Sequence, residues 1–145
     1  MIEQQEIYYR YIRQPYDAGL DLVLPDVDDW DYDIILDAIY AELDRRKGFV
    51  YILANSRRNL YKVGMTRKGV EERVRGVNSA GVVERWWCER SFAVPDVFLE
   101  KRIHKHLIAI KPEHIREIFM LPLNLIERVI EEEIQSFNQF LSGLP

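Results

Sequence analysis

The chain has 145 residues, 48% hydrophobic and 30% charged, which is enough apolar material for one domain with a buried core. A single cysteine, Cys88, excludes an internal disulfide, and no stretch reaches the roughly 18–20 apolar residues that a bilayer-spanning helix needs. Met1 to Glu6 carries two glutamates and no apolar run, so no secretory signal is expected and a cytoplasmic location is.

The net charge of −4 is unevenly spread. Residues 1–47 hold 5 Lys/Arg against 12 Asp/Glu (net −7), residues 48–120 hold 14 against 8 (net +6), and residues 121–145 hold 1 against 4 (net −3). A basic middle between acidic ends points to a phosphate-binding core, because Lys and Arg neutralise phosphates and release counterions. A mixed solvated surface would give the same counts.

In chain order, the first twenty residues are tyrosine-rich and show no period. Asp28 or Asp29 can cap a helix whose apolar positions, Ile35, Ala38, Ile39 and Leu43, recur at three- and four-residue spacing. Arg45-Arg46-Lys47 suit its C-terminus, and Gly48 is a plausible stop. Phe49 to Ala54 is an apolar run suited to a buried strand, Asn55 to Asn59 a turn, and Leu60 to Gly64 a returning strand. Val70 to Val77 reads as a helix with Val70, Val74 and Val77 on one face. Asn78 to Gly81 breaks the chain, and Val82 to Val94 is a third strand region in which one of Trp86 and Trp87 is expected to pack in the core. Pro95-Asp96 opens a helix with the stripe Leu99, Ile103, Leu107 (or His106) and Ile110. Arg116 to Leu121 is a short extended segment, and from Pro122 a long helix carries Leu123, Ile126, Ile130, Ile134, Phe137 and Leu141 on one face. The fold class expected is α/β (α+β): a small central antiparallel three-stranded sheet flanked by helices. Residues 1–47 form an acidic extension with one helix, 48–121 the core, and 122–145 a C-terminal helix packed on it.

Short motifs fall in order along the core. Gly48 to Ile52 reads Gly-Phe-Val-Tyr-Ile, and Tyr61 to Thr66 reads Tyr-Lys-Val-Gly-Met-Thr. Arg73, Leu99-Glu100 with His104, and Glu117-Ile118-Phe119 follow. This series resembles the GIY-YIG nuclease superfamily, in particular its divergent branch related to a phage T5 open reading frame, over residues 48–120. The resemblance implies a GIY-YIG-like fold and a Mg²⁺-dependent (or Mn²⁺-dependent) DNA endonuclease, of phage, mobile-element or bacterial-defence type, with RNA left open as substrate.

It also implies roles. Tyr51 takes the position of the tyrosine that acts as general base or orients the attacking water, Arg73 that of the arginine on the scissile phosphate, and Glu100 that of the metal ligand. His104 would act on phosphate or the leaving group, and Glu117 is either a second acidic group at the metal or a partner for Arg73 or Lys62. Most members of the superfamily have tyrosine where Lys62 stands, although the resembled branch carries lysine; here Lys62 is expected to hold a phosphate or to lower the pKa of Tyr51. Tyr61 faces the other side of its strand and cannot replace the missing tyrosine without a bulge. Lys62, Arg67, Lys68, Arg73 and Lys105 are the cations expected on nucleic acid, whereas His106 and His114 are expected to be structural or solvated. A double-strand cut would need a homodimer or two encounters. Two other readings stand beside this one: a nucleic-acid-binding or regulatory module without catalysis, favoured by Lys62, and an interaction protein whose acidic arm covers the basic face or binds a protein partner.

Overall fold

Gly48–Ala54 forms the strand on which the rest of the sheet is laid. In a computed structural model, which describes residues 37, 40, 41, 43–79 and 84–142, the chain divides into two compact units, residues 1–46 and 47–145. Of the expected N-terminal helix, residues 37, 40, 41 and 43–45 are described and are helical. The rest of the acidic arm, and the masking or partner-binding role expected of it, lie outside the described residues.

The second unit runs β1 (Gly48–Ala54), β2 (Tyr61–Thr66), α1 (Val70–Val77), β3 (Trp87–Val94), α2 (Leu99–Ile110), β4 (His114–Ile115), β5 (Ile118–Phe119) and α3 (Leu123–Ser142). It is a mixed α+β arrangement around one antiparallel sheet of order β3-β1-β2-β5-β4. The expected three strands are therefore five. The segment read as a single extended piece folds back on itself, His114 pairing with Phe119 and Ile115 with Ile118, and then adds to β2 through Tyr61 and Lys62. Two-residue strands are too short to show an alternating pattern in sequence. Among the described residues, no helix is long and apolar enough to cross a membrane.

Val50, Tyr51, Ile52 and Leu53 are fully buried. Covering each such side chain contributes roughly 1.5–3 kcal/mol, which makes β1 the centre of the apolar core. One side of the sheet carries Val50 and Ile52, paired with Phe92 and Arg90 of β3. Arg90 forms ion pairs with Glu127 and Glu131 of α3, which fixes that helix over this side. The other side carries Tyr51 and Leu53, opposite Gly64 and Lys62. The α2 helix packs on α3 and on β2, its stripe Leu99, Ile103 and Leu107 buried as the spacing predicts. Its stripe stops there: Ile110 is the last helical residue and is exposed.

Other boundaries shift for local reasons. Gly48 opens β1 instead of closing a helix, and a Cβ there would collide with the Thr66 carbonyl and the Val97 side chain. The α2 helix begins at Leu99, three residues after Asp96, because the Asp96 carboxylate accepts the Phe98 N–H (2.8 Å) and the chain turns once before the helix proper. Neither Trp86 nor Trp87 is fully buried. Trp86 is held at its backbone by the Asn78 side chain, which both donates to and accepts from it (2.7 and 2.8 Å). Trp87 lies on the edge strand, 47% exposed, its indole N–H donating to Glu89.

Gly64 lies directly across from Tyr51, and a Cβ there would stand 2.5 Å from the Tyr51 hydroxyl oxygen. Gly64→Ala is therefore expected to push the ring out of place and to lower stability by roughly 1–3 kcal/mol, as overpacking does. Urea denaturation measures the loss, and an unchanged midpoint would show that the ring can yield at no cost.

Candidate active site

Side chains from β1, β2, α1, α2 and the β4–β5 turn meet at the Tyr51 face of the sheet. Tyr51 is buried, and its hydroxyl accepts a hydrogen bond from Arg73 Nε of α1 (3.2 Å). Burial raises the phenol above its ordinary value of 10.0; the Arg73 bond and charge oppose this, and the charges of Glu117 and Glu100 add to it. The phenol is thus protonated at neutral pH. The cation on the hydroxyl is Arg73, and not Lys62 as one expectation had it. Lys62 stands opposite Leu53, two pairs further along the strands and on the same side of the sheet, and its ammonium reaches Glu117 (3.9 Å).

Glu117 sits at the β4–β5 turn, beside Arg116, whose φ of 52° is a left-handed conformation uncommon outside glycine. The Glu117 carbonyl accepts the Val63 N–H (2.9 Å), which ties the turn to β2. Holding Arg116 in this conformation costs of order 1–3 kcal/mol, and the tie to β2 is what over-determines it. The result is a second carboxylate close enough to Glu100 to repel it.

Glu100, at the start of α2, is mostly buried. Its carboxyl is raised from 4.5 to about 7, first by burial and then by Glu117, against the opposing charges of Arg73 and Lys101. His104, one turn on, has Nε2 2.9 Å from the Val63 carbonyl and 3.5 Å from the Glu100 carboxylate. A carbonyl only accepts, so Nε2 carries the proton and donates it. Burial holds His104 below 6.5, with the Val63 bond and Glu117 opposing and the charge of His114 assisting. His104 is therefore neutral, with its N–H committed to the sheet.

His114, expected to be structural or solvated, is exposed and borders this region. Its ring stacks on Phe119 (5.5 Å between centroids), and His104 meets the same phenylalanine (5.1 Å). Only the His114–Phe119 strand pairing brings it there, and no spacing in the sequence signals that. His106 is tied to Glu133 of α3 (3.3 Å). Of the expected phosphate-contacting cations, Lys62, Lys68 and Arg73 lie at or beside the cluster. Arg67 is placed over the Phe98 ring (5.9 Å), and Lys105 is exposed on α2, about 100° round the helix from His104. Arg75 is exposed.

Among the described residues, no group of three or more His, Cys, Asp or Glu side chains is placed to hold a metal ion. The cluster combines a neutral phenol under a guanidinium with a lysine and two mutually repelling carboxylates. Residues 48–134, more than half of the chain, match the T5orf172 domain. The chain belongs to that family, which is related to the GIY-YIG nuclease-like superfamily. No curated protein and no solved structure matches it.

The raised Glu100 carboxyl has a consequence for stability. Between about pH 4.5 and 7 the folded protein keeps a proton that the unfolded chain releases, so stability falls as pH rises through this window. In EDTA, Glu100→Gln is expected to be more stable than the wild type at pH 8 by about 1–3 kcal/mol, with the difference gone below pH 4.5. Urea titrations at the two pH values test this, and equal stabilities at pH 8 would refute it.

Proposed function

We propose that the protein is a divalent-metal-dependent endonuclease that hydrolyses phosphodiester bonds in DNA, on a GIY-YIG-like fold. The observation that carries the reading is the Arg73–Tyr51 hydrogen bond set beside the Glu100/Glu117 pair. Arg73 uses Nε on the tyrosine and keeps its terminal N–H groups, a planar fork that fits phosphate oxygens. Tyr51, neutral and already accepting one bond, has its own O–H and a lone pair left to orient a water in line with phosphorus. That is a positioning role, since a protonated phenol with a raised pKa is a poor base. Lys62 adds positive charge where the phosphate would sit, and Glu117 holds it there.

The donor set suits Mg²⁺ or Mn²⁺. Two carboxylates supply hard oxygens, and Mg²⁺ is commonly held by one or two carboxylates together with waters and substrate phosphate. Burial first, and then repulsion by Glu117, drives Glu100 toward the protonated form, and a cation relieves the repulsion. When bound, the ion supplies Lewis acidity at the phosphate and lowers the pKa of a bound water. His104 serves as a positioning residue: its Nε2–H on the Val63 carbonyl ties α2 to β2 one turn from Glu100, in place of the contact with phosphate or leaving group that the motif implies.

A binding module without catalysis is the second reading, favoured by the neutral Tyr51 and by Lys62 at a position where most of the superfamily has tyrosine. Incubation with supercoiled, linear and single-stranded DNA, and with RNA, in Mg²⁺, Mn²⁺ or EDTA separates the two. Metal-dependent cleavage by the wild type is expected, reduced to background in Glu100→Ala with folding and DNA affinity largely kept. The ratio of nicked to linear product reports whether one site or two act. Full cleavage by Glu100→Ala would remove that residue from the metal site. Steeply salt-dependent binding with no product in any metal would favour the binding module.

A further inference from the structure

A cleft of about 260 Å³ runs along one side of α1, lined by Thr66, Lys68, Gly69, Glu72, Arg73 and Gly76. Gly69, Glu72, Arg73 and Gly76 recur at three- and four-residue spacing, so they form one stripe, and the cleft follows the side of the helix. Arg73 belongs both to this cleft and, through Nε, to Tyr51. The Thr66 hydroxyl accepts the Lys68 N–H (3.1 Å), which fixes the loop carrying Lys68. Lys68 and Glu72 form no ion pair among the described residues.

The two glycines are the unexplained feature. A Cβ on Gly69 or Gly76 would meet nothing within 4 Å, and neither has a left-handed φ. Packing and backbone conformation therefore do not require glycine at either position. Inside a helix, glycine at 76 is less favourable than alanine. What both glycines provide is room in a cleft whose cations open onto the candidate active site.

We propose that this cleft is a subsite for a backbone phosphate of nucleic acid adjoining the one to be cut. Lys68 contacts this phosphate, Arg73 stands between it and the phosphate to be cut, and Gly69 and Gly76 leave space for the strand. Glu72, the one anion in the cleft, opposes the phosphate and tempers its affinity. The inference rests on the phosphodiester-directed reading of the Tyr51 site and extends it to a neighbouring nucleotide.

Fluorescence anisotropy with a labelled DNA duplex in EDTA tests it, with Gly76→Ala, Lys68→Gln and Glu72→Gln beside the wild type and cleavage assayed separately. Gly76→Ala is expected to raise Tm by about 2–4 °C while binding DNA more weakly, opposite signs that a structural role for the glycine would not produce. Lys68→Gln is expected to weaken binding and to reduce the salt dependence of log K by about one. Glu72→Gln is expected to tighten it. Unchanged affinity and salt dependence in Lys68→Gln and Gly76→Ala, with the wild type binding and cutting, would overturn the subsite alone. Weakened binding in these variants with no cleavage by the wild type would overturn the nuclease reading and leave the subsite standing. Inorganic phosphate stabilising the wild type at millimolar concentration, with DNA affinity equal in all variants, would assign the cleft to a free anion and overturn the proposal.

Discussion

The Tyr51 ring occupies the space that any side chain at position 64 would need, and this close approach sets the rest of the site. It requires Tyr51 and Gly64 to be cross-strand partners, which fixes the β1–β2 register along its whole length. A slip of one residue would turn Tyr51 and Leu53 to the opposite side of the sheet and bring Val50 and Ile52 in their place. The irregularity that the sheet does contain, between Ile52 and Leu53, falls on the β3 side and leaves the β1–β2 pairing intact. With the ring seated, its hydroxyl stands at the end of Arg73, and α1 is anchored to the sheet by that bond as well as by its three half-buried valines.

Burial then governs the electrostatics. Both Tyr51 and Glu100 are pushed toward their neutral forms, because each loses solvation and each feels the carboxylate of Glu117. Arg73 and Lys62 each answer one of the groups: Arg73 the phenol, Lys62 the Glu117 carboxylate. His104 answers neither by charge, since burial keeps it neutral and its N–H is spent on the Val63 carbonyl. The cluster is thus held together by positioned dipoles and two cations, and Glu100 remains the group whose ionisation is least supported.

The α2 helix is fixed from two sides. Glu100 and His104 face the sheet, while Arg102 (2.9 Å) and His106 (3.3 Å) both engage Glu133 of α3. That interlock gives a structural reason for the matched domain to extend to residue 134, well into α3 and just past Glu133. In turn α3 is tied to the far strand of the sheet by Arg90, so the helix bearing Glu100 is braced against β3 through an intermediate helix. Glu100 depends on this frame as much as on its own neighbours.

The sequence by itself determined the local elements that have a strong signal. The apolar run of β1, the helical spacing of α2 and α3, and the ordered motifs at Tyr51, Arg73, Glu100 and Glu117 were all legible, because burial periods of two and 3.6 residues and motif spacing are written along the chain. What the tertiary structure decided were relations across it. The β4–β5 hairpin, the stack of His114 on Phe119, the pairing of Lys62 with Glu117, and the choice of Arg73 as the partner of Tyr51 each join residues that no local period connects. Their strengths are set by distance and lost solvation. Those quantities come into being only when separate elements close over the same few ångströms.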